Sequence, residues 1–129
     1  MKYVIQINSS PNDSYSGLSA YQFIEAALYK GHEIYRVFFY QQGIYHAYRY
    51  SSPPDDECQI TKKWTLLAQQ KGIDLVVCIS AAQRRGLLSY DESKRQNKLD
   101  NDLAEGFRIS GLGQLLEGII IADRFITFG

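Results

Sequence analysis

Residues 74–86 read D-L-V-V-C-I-S-A-A-Q-R-R-G, and this stretch decides the fold. Its apolar residues, running from Leu75 to Ile79, have the composition of a strand that is buried on both faces, as in a parallel sheet. Ser80 and the two alanines after it form a small-residue turn, which predicts the start of a helix. Chemistry in such sheets gathers at the carboxyl ends of the strands, and Cys78 lies at that end.

The rest of the chain alternates between predicted strands and predicted helices. We expect strands at 2–8, 33–40, 107–109 and 124–128, and helices at 18–30, 57–71 and 114–122. Either Asp55 or Asp56 is expected to cap the helix at 57–71, and residues 87–103 to form a short helix and a solvated connection. With right-handed crossovers, this order predicts an α/β fold: one domain over 1–129, a three-layer α/β/α arrangement with a largely parallel five-stranded sheet.

Composition and charge narrow the class of protein. The 14 basic and 14 acidic residues cancel, which argues against a large binding surface for nucleic acid or anionic membrane. No apolar run approaches the ~20 residues needed to span a bilayer, and residues 1–7 do not resemble a secretory signal. Two cysteines do not make a disulfide framework. We therefore expect a cytoplasmic protein with reduced thiols.

Cys78 has two interpretations. Free cysteines are most often small buried hydrophobic residues, but a helix that begins near Ser80 would place partial positive charge beside the sulfur. Arg84 and Arg85 would add full charge and favour the nucleophilic thiolate, or they would face solvent or a partner. Cys58 follows acidic residues, which disfavour a thiolate, so we interpret it as structural or incidental.

The other candidate sites are weaker. His32 and His46 lack the spacing of a metal motif, and the glycine-rich turn at 110–118 matches neither dinucleotide-binding nor phosphate-loop patterns. We therefore predict no cofactor and no metal. The aromatic segment at 40–50 is either a lid on the core or a protein interface, since tyrosine is common in both settings. Its large side chains are Tyr40, Ile44, Tyr45, Tyr48 and Tyr50.

Several blocks of sequence carry a family resemblance. They are C-I-S-A-A-Q-R-R-G at 78–86, V-F-F-Y-Q-Q-G-I-Y at 37–45, S-P-P-D-D-E at 52–57, and I-S-G-L-G-Q-L-L-E-G at 109–118 followed by A-D-R-F. Together they resemble the TusD-type sulfur-relay subunits of the DsrE/DsrF-like family, and the resemblance covers nearly the whole chain.

The resemblance implies a sulfurtransferase that works without metal. Cys78 matches the position that carries a persulfide in the family, with sulfur arriving from a TusA-like donor and leaving to a TusE-like acceptor. The sulfur ends in the 2-thiouridine at the wobble position of certain tRNAs. The resemblance also implies a heterohexamer with two copies each of this chain and of TusB-like and TusC-like subunits. It implies no direct contact with nucleic acid and no membrane.

Three alternatives stay open at this point. The chain could be a non-catalytic assembly subunit, with the aromatic segment and the helix at 114–122 contacting partners. It could be a DsrE-type protein of sulfur oxidation, since those relatives share the cysteine. The fold alone also allows a mononucleotide binder that uses the loop at 9–17.

Overall fold

One parallel sheet organises the molecule. A computed structural model describes residues 1–55, 58–88, 90–95 and 102–129. Within these residues the sheet has five strands, all parallel, in the spatial order β4-β3-β2-β1-β5, which confirms the predicted sheet. The strands are β1 (Lys2–Ile7), β2 (Glu33–Phe39), β3 (Leu75–Cys78), β4 (Phe107–Ser110) and β5 (Arg124–Phe128).

Helices connect the strands as the sequence predicts. They are α1 (Ser16–Tyr29), α2 (Ile60–Lys71), α3 (Ile79–Arg84), α4 (Tyr90–Arg95) and α5 (Leu112–Ile121). A 3₁₀ helix at Gln41–Ala47 replaces the loop expected after β2. Part of the predicted connection at 87–103 lies outside the described residues. No helix in the described ranges is long and apolar enough to cross a membrane.

The helices cover both faces of the sheet. The Tyr3 ring packs edge-on against Phe23 of α1, whereas the neighbouring Val4 faces Gly118 of α5. Adjacent strand residues point to opposite faces, so α1 and α5 lie on opposite sides. Phe39 of β2 contacts Trp64 of α2 from the same side as α1. The three-layer prediction is therefore confirmed, with α5 on one face and α1 and α2 on the other.

The aromatic segment after β2 is mainly a lid on the core. Ile44, His46 and Ala47 of the 3₁₀ helix are fully buried, and the half-buried Tyr45 and Tyr48 rings stack at a centroid distance of 5.2 Å. Burying these apolar groups stabilises the fold by roughly 1.5–3 kcal/mol for each large side chain. This supports the lid interpretation.

The prediction that Asp55 caps α2 is wrong. The helix begins at Ile60 with Gln59 as its N-cap, and no side chain among the described residues caps it. The other candidate cap was Asp56, and the helix was expected to begin at Glu57. Both residues lie outside the described residues. Ile60 is the first residue of the segment whose side chain is buried, so α2 begins where contact with the core begins.

A charged cluster fixes the start of β3. The Asp74 carboxylate accepts a hydrogen bond from Nε of Arg36 on β2 at 2.6 Å, and two from Arg108 on β4 at 2.7 and 2.8 Å. Nη1 of Arg36 also donates to the main-chain oxygen of Gln114 on α5 at 2.7 Å. The Arg36 guanidinium is almost fully buried, with 8% of the side chain exposed. A buried charge is tolerated only when it is paired in this way.

These contacts set the titration of Asp74. Partial burial acts to raise the pKa of its carboxyl, but the hydrogen bonds from Arg108 and Arg36 outweigh that effect and hold the pKa below its usual value. The unfolded chain therefore binds a proton at a higher pH than the folded chain does. The contribution of Asp74 to stability is complete above pH ~4 and is lost as the pH falls further.

We predict that Asp74→Asn destabilises the fold by about 2–4 kcal/mol at pH 7, because the buried Arg36 guanidinium loses the nearer of its two carboxylate partners and keeps only Glu117, at 3.7 Å. Urea unfolding measures this, and the variant should also lose part of the fall in stability below pH ~4. Asp13→Asn, the same change at an exposed loop residue, is the control and should have little effect. Equal stability of the two variants would contradict the role given to the Arg36–Asp74 pair.

Candidate functional site

Cys78 lies at the carboxyl end of the sheet, as the sequence predicts. It is the last residue of β3 and also the N-cap of α3, with an extended backbone at φ −63° and ψ 123°. Only 1% of the residue is exposed. The thiol is therefore held at a strand-to-helix junction and has almost no contact with solvent.

Two helices begin beside Cys78. The first is α3, which starts at the next residue. The second is α5, because the parallel ladder pairs Cys78 with Ser110 and α5 starts two residues later at Leu112. Main-chain N–H groups at helix starts carry partial positive charge. The junction thus places the cysteine next to the starts of two helices, and a thiol is the side chain that can attack an electrophilic sulfur.

Arg84 and Arg85 lie at the far end of α3. With a rise of about 1.5 Å per residue, Arg84 is roughly 9 Å along the helix from Cys78. Its side chain is exposed, whereas Arg85 turns back so that Nη1 donates to the main-chain oxygen of Ala81 at 3.1 Å. The described contacts bring neither guanidinium to the sulfur.

A shallow surface borders this junction. A depression of about 60 Å³ lies between α3 and β4, and Ile79, Gln83 and Ile109 are among its lining residues. Ile79 follows Cys78 directly and is 40% exposed, although it is apolar. The outside of the site therefore offers apolar surface next to the cysteine, and the thiol itself stays covered.

Cys58 lies in a different place. It is exposed and lines a cavity of about 810 Å³ between the loop after β1 and the segment before α2. The loop at 9–17, considered above as a mononucleotide site, contributes Pro11, Asn12, Asp13, Ser14 and Tyr15 to its wall. Cys78 does not line this cavity. This cavity and the predicted reactive cysteine are thus separate features.

His46 is a buried neutral ring. Trp64 Nε1 donates to its Nδ1 at 3.2 Å, so Nε2 carries the proton. Nε2 makes no hydrogen bond of normal geometry among the described residues, although the Ser9 backbone lies close enough to favour the charged form. Burial outweighs that influence and lowers the pKa of His46 to about 4. No described contact joins His46 to Cys78, and Nδ1 of the ring accepts its hydrogen bond from Trp64, so the two residues do not form a catalytic pair.

The helix α5 exposes an apolar face, in the region where the sequence allowed partner contacts at 114–122. Leu112, Leu116, Ile119 and Ile120 recur at helical spacing and form an apolar stripe, named here the α5 stripe. Leu116 is 61% exposed and Ile120 is 83% exposed. On the opposite side of the helix only Gly118 is buried. The sequence of α5, L-G-Q-L-L-E-G-I-I-I, contains enough apolar residues for both sides of a helix. This excess of apolar residues is the feature of the sequence that indicates an exposed apolar face.

Comparison with known proteins identifies a family. Residues 1–128 match the DsrE/DsrF-like family. The chain is 49% identical over 129 residues to the DsrE protein of Allochromatium vinosum, covering 100% of this chain and 99% of that protein. It is 40% identical over 128 residues to a protein of Vibrio vulnificus named sulfurtransferase TusD homolog, covering 99% and 98% of the two chains.

A solved structure agrees with the fold. The crystal structure of the ychN protein from E. coli superposes with a TM-score of 0.80 and covers 99% of both chains. The sequence identity is 21%, so this likeness concerns the fold alone. It matches the arrangement described above, a parallel five-stranded sheet with helices on both faces.

We predict that His46 makes stability depend on pH between about 6.5 and 4. The unfolded chain binds a proton on this imidazole near pH 6.5, whereas the folded chain binds it only near pH 4. Stability is therefore greatest above pH 6.5 and falls below it, by up to ~1.4 kcal/mol per pH unit. Urea unfolding of His46→Gln should give a flatter profile in this range, with His32→Gln as control. A profile unchanged in His46→Gln would show that the ring is not neutral and buried.

Proposed function

The chain belongs to the DsrE/DsrF-like family, whose relatives include sulfurtransferases of the TusD type, and we propose that it carries sulfane sulfur as a persulfide on Cys78. The observation that supports this most is the position of Cys78 at the carboxyl end of β3, beside the starts of α3 and α5. We treat residues 1–129 as one domain built around this junction.

The proposed step is a thiol–persulfide exchange. The Cys78 thiolate attacks the outer sulfur of a donor persulfide, R–S–SH, and a new S–S bond forms on Cys78. The donor S–S bond breaks, its electrons leave with the inner sulfur as R–S⁻, and the proton stays on the transferred sulfur. No net oxidation occurs, because the sulfane sulfur keeps its oxidation state.

The proposed route places this chain in a relay. A TusA-like protein in the cytoplasm supplies the persulfide, and a TusE-like protein accepts it for 2-thiolation of the tRNA wobble uridine. The chain meets only proteins in this scheme, which agrees with its balanced charge of 14 basic and 14 acidic residues. A tRNA-binding protein would need a net basic surface.

We assign Arg84 and Arg85 to docking. Arg84 is exposed and lies in the last turn of α3, roughly 9 Å along the helix axis from Cys78. From that position it can meet a carboxylate on a protein that approaches Cys78. Charged groups at the rim of an interface mainly guide association.

The α5 stripe is the proposed assembly surface. Its four apolar side chains lie on α5, which packs on one face of the sheet. The strand β5 is at the edge of the sheet, and its Phe125 is 39% exposed. Apolar patches of this kind mark protein contacts. We propose that TusB-like and TusC-like subunits cover this surface, in a heterohexamer with two copies of each chain.

A second function has support of its own. Identity to the DsrE protein, at 49%, exceeds identity to the TusD homolog, at 40%. In this second function the chain acts as a DsrE-type protein, and the persulfide on Cys78 serves sulfur oxidation. Restoring 2-thiouridine in a tRNA-thiolation mutant that lacks its own TusD would favour the tRNA role, and a failure of the correctly assembled chain to do so would favour the oxidative role.

We predict that Cys78→Ser abolishes sulfur loading from a persulfide donor, because a hydroxyl cannot form the S–S bond. Loading is measured as radiolabelled sulfur bound to the protein after gel filtration. Cys58→Ser is the matched control and should load as the unmodified chain does, since Cys58 lies in the separate cavity. Loading that persists in Cys78→Ser, or restored tRNA thiolation by that variant, would favour a non-catalytic assembly subunit.

We predict that Ile120→Glu weakens assembly with TusB-like and TusC-like chains by at least tenfold, because a charge would be buried at an apolar contact. Ile120 is 83% exposed, so the free energy of unfolding should change by no more than about 0.5 kcal/mol. Leu66→Glu, at an exposed apolar residue of α2, is the control. Co-purification of the three chains measures the effect, and equal yields for both variants would contradict the assignment.

A further inference from the structure

We infer that the hydrogen bond between Tyr48 and Arg85 holds α3 in the position that keeps Cys78 covered, and so controls access to the thiol. The inference rests on the proposed function, because a sulfur carrier must bring its thiol to a partner. It goes further in assigning a positioning role to Tyr48, a residue of the aromatic segment.

Cys78 cannot exchange sulfur in the conformation described. It is 1% exposed, whereas an attacking thiolate needs nearly linear access to the outer sulfur of the donor. Because Cys78 is the N-cap of α3, its backbone conformation changes whenever α3 moves relative to the sheet. Movement of α3 is therefore the most direct way to expose the sulfur.

The hydrogen bond in question ends at the last turn of α3. Oη of Tyr48 donates to the main-chain oxygen of Arg85 at 2.6 Å. Arg85 is the C-cap of α3, so the bond ties the free end of this helix to a segment 37 residues earlier in the chain. It is a direct polar link between α3 and the aromatic segment.

Tyr48 is itself firmly held. Its ring stacks on Tyr45, and its backbone forms an antiparallel bridge with Leu103. On either side of that bridge, the Ala104 N–H donates to the Ala47 oxygen at 2.9 Å and the Arg49 N–H donates to the Asp102 oxygen at 2.6 Å. The tyrosine thus provides a fixed point against which α3 is anchored.

The other contacts of α3 are packing contacts. Its buried side chains are Ala81 and Ala82, which remove little apolar area from water compared with a leucine or phenylalanine. Leu87, in the turn after the helix, is fully buried and also holds this end of α3 on the core. The Leu87 N–H donates to the Ala82 oxygen at 2.9 Å, and the Arg85 side chain bonds to Ala81, so these bonds lie within α3 and the turn after it. The Tyr48 bond adds to this packing a polar restraint from outside the helix.

The test is the alkylation rate of each cysteine in the full chain. N-ethylmaleimide is the probe, and peptide mass spectrometry quantifies Cys78 and Cys58 separately. In the unmodified chain we expect rapid alkylation of the exposed Cys58 and slow alkylation of Cys78. Tyr48→Phe removes one hydrogen bond and should raise the Cys78 rate about 3- to 10-fold, with the Cys58 rate unchanged.

Tyr45→Phe is the matched control, because it removes the hydroxyl of the stacked neighbour, which makes no hydrogen bond to α3 among the described contacts, and it should leave the Cys78 rate unchanged. Rates are repeated in low urea: local opening gives a nearly flat dependence, whereas global unfolding gives a steep one. Equal Cys78 rates in Tyr48→Phe and the unmodified chain would overturn the inference, as would a rise that follows global unfolding or is shared by Tyr45→Phe. Alkylation requires no sulfur donor, so these outcomes are separate from a failure of Cys78 to load sulfur.

Discussion

The arrangement of this sheet depends most on the hydrogen-bonded ion pairs of the Asp74 carboxylate. This carboxylate joins three parallel strands at one end, because Arg36 on β2 and Arg108 on β4 both donate to it from either side of β3. Arg36 also reaches the main chain of α5. The nearly buried guanidinium has few stable alternatives, since an unpaired charge in this environment costs several kcal/mol. With its start fixed in this way, the four-residue strand β3 delivers Cys78 to the opposite edge, where α3 and α5 begin.

The same cluster explains why α5 is unlike the other helices. Polar bonds from Arg36 and Arg108 to Gln114 hold the first turn of α5 on the sheet, and Gly118 allows close approach to Val4. Leu115 also packs against the core, but the other large apolar side chains of the helix remain outside and include the α5 stripe. Exposed apolar surface of this kind is the basis of the proposed assembly surface. The α5 stripe and the cysteine junction both involve α5, which begins beside Cys78, so assembly and sulfur exchange would occur close together on the molecule.

Much of this could be predicted from sequence, for identifiable reasons. The run L-V-V-C bounded by Asp74 and small residues can form little other than a buried strand that leads into a helix, and the strand–helix alternation then fixes a parallel sheet. Local sequence patterns did not predict the features that depend on tertiary contacts. The helix start at Ile60 depends on contact with the core, and the 3₁₀ helix at Gln41–Ala47 depends on burial of Ile44 and His46 beneath it. The separation of Arg84 from Cys78 follows from the length of α3, and the pairing of Asp74 with residues 38 and 34 positions away has no local signal.

The central proposal, that Cys78 carries sulfur, is tested by locating the sulfur on the chain. The unmodified chain is incubated with a protein persulfide donor, digested without reductant, and analysed by mass spectrometry for the mass of one added sulfur atom. We predict that the added sulfur lies on the peptide that contains Cys78 and is removed by a thiol reductant. Added sulfur on the Cys58 peptide with none on the Cys78 peptide would contradict it.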